Sequence, residues 1–142
     1  MTARPARLIR DVLLAEGLCQ AVPSLPWRCV TTKMPDGVGT VDSMVAVIEH
    51  DDVQEGRYIT NSNYLVDPHV QIIARSVGFN ESYTKLREIA LLLDTLRDYY
   101  VIVDGDEYRI YSTKRTTNIQ AKGLDATGRR YVYAIEYDVV LH

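Results

Sequence analysis

Residues 68–100, PHVQIIARSVGFNESYTKLREIALLLDTLRDYY, constrain the possible folds of this chain more than any other stretch. Apolar side chains fall on both faces of 70–77 (Val70, Ile72 and Ala74; Ile73 and Val77), which predicts a strand in the middle of a sheet. Gly78 and Phe79 leave a two-residue turn. Asn80 is a good N-cap, and Glu81 places negative charge where a helix N-terminus favours it. Leu86, Ile89, Ala90, Leu93, Leu96 and Tyr100 then recur at helical spacing as one stripe. The spacing predicts a long helix lying flat across a sheet, with Leu93 at the contact. A strand that feeds directly into such a helix is a scaffold, and the segment carries no reactive constellation.

The flanks extend that scaffold. Pro5 suits the first helical position, Leu8, Ile9, Val12 and Leu13 form a stripe, and Gly17 suits the residue after the end. A first helix is expected over 5–16. Segments 27–34 and 41–49 are rich in β-branched residues and separated by PDGVG, which predicts a hairpin. Residues 50–67 show neither helical nor strand period. A loop that long is usually functional or disordered; Tyr58, Ile59, Tyr64 and Leu65 within it are anchors for ordering against a neighbouring subunit, the alternative being a loop that folds back on its own domain. Beyond the second helix, Val101–Val103, DGDE, 107–114 and 115–121 read as short strands and turns, followed by the turn GLDATGRR. The last segment alternates most clearly: Tyr131, Tyr133, Ile135, Tyr137, Val139 and Leu141 share one face. The whole predicts one α+β domain over residues 1–142, a mostly antiparallel mixed sheet with two helices packed on one face.

The chemistry the sequence offers is sparse. Net charge is −3, so no generic nucleic-acid affinity is expected from the bulk field. Cys19 and Cys29 lack the spacing and companions of a zinc site and are expected as free thiols. Glu49, His50, Asp51 and Asp52 are adjacent rather than convergent, which favours a solvated turn over a metal site. The Asp104–Glu107 run lacks calcium-loop spacing, and Gly37-Val-Gly39 lacks a dinucleotide fingerprint. Asn80-Glu-Ser82 matches a glycosylation sequon but is more simply a helix cap, and His69 is expected at the surface. The basic N-terminus fails as a signal peptide, and no apolar run reaches membrane length, so a soluble, cytoplasmic protein is expected. No catalytic residue, metal or cofactor is assigned, and the reading points away from an enzyme. Ten Tyr stand against one Trp and one Phe, which suits half-exposed strands and interfaces.

Several of these residues also carry a likeness. The run Val70-Gln71-Ile72-Ile73-Ala74-Arg75, Tyr83 with LREIALLLDTL, Tyr108 to Ile110, then Gly123-Leu124-Asp125 with Gly128-Arg129-Arg130 before a hydrophobic last strand, resembles the tail terminators and minor capsid proteins of long-tailed bacteriophages. The likeness spans roughly residues 68–142, and the first half of the chain matches nothing in that pattern. It implies a sixfold ring at the head-proximal end of a tail tube, a virion location reached from the host cytoplasm, and no membrane. The implied partners are further copies of the chain, the tube subunit, a head-completion or connector protein and the tape measure protein. DNA would pass through a lumen that an acidic lining keeps from binding it. The interface candidates are Arg57, Tyr58 and Tyr64 in the long loop, Arg75, and the basic residues Lys114, Arg115, Arg129 and Arg130. Arg75 reads either as an intersubunit ion-pair partner or as a strand arginine whose head reaches water. Another neck or head–tail joining protein, a monomeric nucleic-acid-binding domain and an enzyme of unfamiliar type are the competing readings.

Overall fold

The computed structural model describes residues 4–35, 41–49 and 68–141. The elements in chain order are α1 (Pro5–Ala15), β1 (Arg28–Val30), β2 (Met44–Glu49), β3 (His69–Ser76), α2 (Glu81–Asp94), β4 (Arg97–Val103), β5 (Asp106–Arg115), β6 (Gln120–Leu124) and β7 (Tyr131–Leu141). The sheet runs β1-β2-β3-β7-β5-β4, with β6 pairing β7 beyond the end of β5. Every pairing between these strands is antiparallel except β1 with β2. The chain is therefore a single small α+β domain with a mixed, mostly antiparallel sheet.

One face of the sheet and both helices make the core. Register places Val45 beside Ala74 and Val47 beside Ile72. It places Ala74, Ile72 and Val70 beside Tyr133, Ile135 and Tyr137. Directly paired residues point to the same side, so this is one continuous apolar layer. Against it α2 buries Leu86, Ile89, Ala90 and Leu93, and α1 buries Ala6, Leu8, Ile9, Val12 and Leu13. The sheet curls enough that α1 touches β1 and β2 at one end and β4 at the other. Polar ties reinforce that span: Arg7 pairs with Asp104 in the β4–β5 turn, and the Tyr99 hydroxyl donates to Glu16 at 3.0 Å. Cys19 and Cys29 are buried free thiols in the same core.

Local chemistry explains the helix ends. Arg4 supplies no side-chain cap to α1. Instead a Glu49 carboxylate oxygen, at the end of β2, accepts the Ala6 backbone N–H at 3.1 Å and faces Arg4 at 3.3 Å. At the other end Leu18 N–H reaches the Leu13 carbonyl and Gly17 N–H the Leu14 carbonyl, with Gly17 at φ +77°. That double bond pattern needs a left-handed residue, which glycine adopts without strain. Helix α2 begins differently from the expectation, because Asn80 makes no capping bond. Ser76 Oγ donates to Glu81 at 3.2 Å and accepts the Gly78 N–H at 3.0 Å. A Cβ on residue 78 would lie 2.2 Å from the Glu81 carboxylate, so a larger residue there would push that side chain off Ser76.

Three boundaries differ from the sequence reading. The segments 27–34 and 41–49 are not a hairpin: β1 and β2 run parallel. Parallel neighbours need a crossover, and residues 31–43 separate them. Trp27, at φ +63°, donates its N–H to the Ser43 carbonyl at 2.7 Å, and Gln20 bridges Arg28 on the far side, so tertiary contacts set the direction of β1. The stripe of α2 stops at Asp94, where the Thr95 hydroxyl donates to the Leu91 and Leu92 carbonyls. Tyr100 then belongs to β4 and is 55% exposed. The strand expected at 115–121 is displaced to 120–124, since β5 itself continues to Arg115. Asp104 and Gly105, both at positive φ, close the β4–β5 hairpin as the DGDE turn predicted. The long-loop reading of 50–67 lies outside the described residues.

Leu93 has no exposed surface. Leu93→Asp would bury an unpaired charge between α2 and the sheet, and is expected to cost about 3–5 kcal/mol. A melting temperature equal to wild type by circular dichroism would refute this packing.

Candidate functional site

The sequence-nominated residues divide into three groups. Arg57, Tyr58 and Tyr64 lie outside the described residues. Arg75, Arg129 and Arg130 converge at one corner of the sheet, on the face away from the helices. Lys114 and Arg115, although adjacent, point to opposite faces of β5: Lys114 is exposed beside Asp138 in the register, and Arg115 reaches the helix side.

Arg75 is 2% exposed and Arg130 1% exposed, so Arg75 is not a strand arginine whose head reaches water, and Arg130 is not an exposed interface residue. Arg75 donates to the carbonyls of Pro35 at 3.0 Å, Val41 at 3.1 Å and Asp42 at 3.4 Å, which ties together the chain on either side of residues 36–40. The Arg130 Nε donates to Asp125 at 2.6 Å, and its Nη1 faces the Asp42 carboxylate at 3.4 Å. Arg129, more exposed, donates to the same Asp42 carboxylate at 2.9 Å. A buried guanidinium with several acceptors is satisfied inside its own chain and is no longer available to a neighbour.

Asp125 builds the turn that holds Arg130. One carboxylate oxygen accepts the Thr127 N–H and hydroxyl and faces the Arg129 and Arg130 N–H groups. Burial pushes this carboxyl up, but the bonds from Thr127, Arg130 and the two backbone N–H groups outweigh it and hold it well below the usual carboxylate range. The Asp-x-Thr spacing was the signal in the sequence for this turn. Asp42, its distant partner, left no local signal.

Arg115 pairs with Asp94, the last residue of α2, and the buried Tyr137 hydroxyl donates to the same carboxylate at 2.9 Å. A carboxylate at a helix C-terminus is opposed by the helix dipole, and these two groups compensate it. His69 is not the plain surface residue expected. Its Nδ1 meets Asp138 at 2.6 Å and its Nε2 meets Glu136 at 2.7 Å. Burial lowers its pKa, yet the two carboxylates outweigh burial and the net shift is upward, towards the imidazolium that donates at both nitrogens.

Nothing among the described residues gathers three or more His, Cys, Asp or Glu side chains as a metal site would. Glu49, the one described member of the 49–52 run, acts as the cap of α1. Among the described residues no helix is long and apolar enough to cross a membrane.

The surface features that remain are apolar, and the sequence reading passed over most of them. Val77 (45%), Phe79 (61%), Tyr83 (42%), Leu91 (68%) and Leu124 (51%) are exposed around the flank of α2 and β6. Phe79 meets Tyr131 edge to face, and Tyr83 meets Tyr133 likewise. Ile102 and Tyr100 form a second exposed patch on β4. Leu91 could have been found, since it lies off the buried stripe of its helix. No family model matches the chain, and no curated protein matches it.

Two outcomes test the polar groups. Asp125→Asn is expected to cost about 1–3 kcal/mol at neutral pH. Because the folded pKa is depressed, that contribution is present above about pH 4 and fades as pH falls through the folded value, so the gap between variant and wild type in urea midpoint should narrow in acid. For His69 the sign reverses. Its raised folded pKa adds stability fully present below about pH 6.5 and lost as pH rises through the folded value, so a His69→Gln protein should differ more from wild type at about pH 6 than at about pH 9. A pH-independent difference in either case would refute the assignment.

Proposed function

We propose that this chain is a structural virion protein, a tail terminator. In this reading it forms a ring, sixfold as the resemblance implies, on the head-proximal end of a phage tail tube. It stops tube growth and offers the docking face for the head or its connector, while DNA passes through without specific binding.

One observation carries the reading. The short motifs behind the resemblance, the strand Val70–Arg75 and the turn Gly123–Arg130, are distant in sequence but meet at one polar network around the buried Arg75 and Arg130. Arg75 holds the Val41 and Asp42 carbonyls, and Arg130 and Arg129 hold the Asp42 side chain. The surface is compatible with the role: an assembling subunit needs complementary patches, and the α2 flank and β4 each present exposed apolar side chains. A net charge of −3 per copy suits a conduit that does not hold phosphate.

The second reading, a head-side joining protein, would draw on the same surfaces, and genetics separates the two. Removal of the gene from its phage should give overlong tubes without heads in electron micrographs. Tails of normal length that merely fail to attach would overturn the terminator reading in favour of the joiner.

A further inference from the structure

Cys19 and Cys29 are the two thiols of the chain, and the fold brings them together. Gln20 bridges Arg28 in parallel: the Gln20 N–H donates to the Trp27 carbonyl at 3.0 Å and the Cys29 N–H to the Gln20 carbonyl at 2.9 Å. Neighbours of a bridged pair turn to the opposite side. Gln20 is exposed, so Cys19 and Cys29 both turn inward, each 3% exposed. Their side chains are in hydrogen-bond contact, with the Cys29 thiol donating to the Cys19 sulfur. The surroundings distinguish the two. Lys85 donates to the Leu18 carbonyl at 2.9 Å and lies 5.1 Å over the Trp27 ring, which brings its ammonium beside the backbone that carries Cys19. The bond from Cys29 lowers the Cys19 pKa most; burial opposes it, and the Lys85 charge adds to the lowering. Cys29 is pushed far up, by the bond it donates and by burial. Cys19 is therefore the nucleophile of the pair and Cys29 the resolving thiol. Lys85 and Trp27 also line an open groove of about 300 Å³ on the flank of α2, which brings solvent to this corner. Residues 20–26 are all exposed, so the segment joining the cysteines can shift without disturbing the core.

We propose that Cys19 and Cys29 form a peroxide-oxidised pair that closes to an intramolecular disulfide. The Cys19 thiolate attacks one oxygen of hydrogen peroxide, and the O–O bond breaks. The released hydroxide takes up the proton that Cys19 gave up and leaves as water, and Cys19 becomes a sulfenic acid. The Cys29 sulfur then displaces the sulfenic hydroxyl. The S–S bond forms, and the Cys29 proton leaves with that hydroxyl as a second water. Two thiols lose two electrons and two protons, and one peroxide is reduced to two waters. The product fastens β1, a three-residue strand at the end of the sheet, to the turn that follows α1. Closing a loop over residues 19–29 also restricts the unfolded chain, so the oxidised protein is the more stable form. The inference is independent of the terminator reading.

The test is the folded full-length protein treated with hydrogen peroxide, alkylated and read by mass spectrometry. The expected result is a loss of about 2 Da for the two thiol hydrogens, and a tryptic species that joins residues 11–28 to residues 29–33. Dithiothreitol should reverse both. The melting temperature of the oxidised protein should rise by roughly 5–10 °C. In Cys29→Ala, dimedone should capture the sulfenic acid on Cys19; in Cys19→Ala, capture on Cys29 should be at least tenfold slower. Circular dichroism checks that both variants fold, and the wild-type measurement stands without them. Thiols that stay free, oxidation to sulfinic or sulfonic acid without a cross-link, or a disulfide between copies overturns the inference. So does equal capture in the two variants, or a melting temperature that falls on oxidation.

Discussion

Strand β7 is the constraint on which the rest of the structure depends. Along one side it pairs β3 from Tyr131 to Asp138. Along the other it pairs β6 over its first residues and β5 over its last. Its strict alternation puts Tyr131, Tyr133, Ile135, Tyr137 and Val139 towards the helices, and a slip of one residue would turn all of them outward. Helix α2 is fastened across it at both ends. Ser82 donates to the Tyr131 carbonyl at 3.3 Å, Tyr137 donates to Asp94, and Thr113 on β5 donates to the Leu93 carbonyl. The position of the helix and the register of the sheet are therefore one problem with one solution.

What the sequence reveals follows from how local each determinant is. The β3–α2 unit and β7 were legible because their patterns are self-contained: two apolar faces, a helical stripe, an unbroken alternation. Helix α1 was legible from Pro5 and Gly17. The direction of β1 was not, because three residues of strand cannot fix their own partner, and the deciding bonds come from Gln20 and Ser43. The end of α2 was misplaced because Leu96 remains buried after the helix has stopped, which prolongs an apolar pattern beyond its backbone.

The arginines show the same limit more sharply. A strand arginine among apolar residues ordinarily extends its head to water. Arg75 does not, because the carbonyls of Pro35, Val41 and Asp42 are turned towards it, and these come from a segment far away in sequence. Arg130 is buried for the same reason, with Asp42 as a distant partner and Asp125 as a near one. Buried ion pairs add little net stability relative to a well-packed apolar core, while loss of one partner is costly. Their contribution here is geometric: they determine which chain segments meet at the corner.

That geometry matters most for β6. None of its five residues is buried, so no core contact holds it. It is instead anchored at its two ends by polar groups. At its beginning, Thr116 N–H and the Thr117 hydroxyl bond the backbone of Glu136, whose side chain is held by His69. At its end, the Asp125 turn is locked by Arg130, with Asp125 N–H closing on the Arg130 carbonyl at 2.9 Å. A strand fixed at both ends but covered on neither face keeps its outer edge available without being free to drift. The arginine corner therefore explains how an exposed strand can persist without a core beneath it.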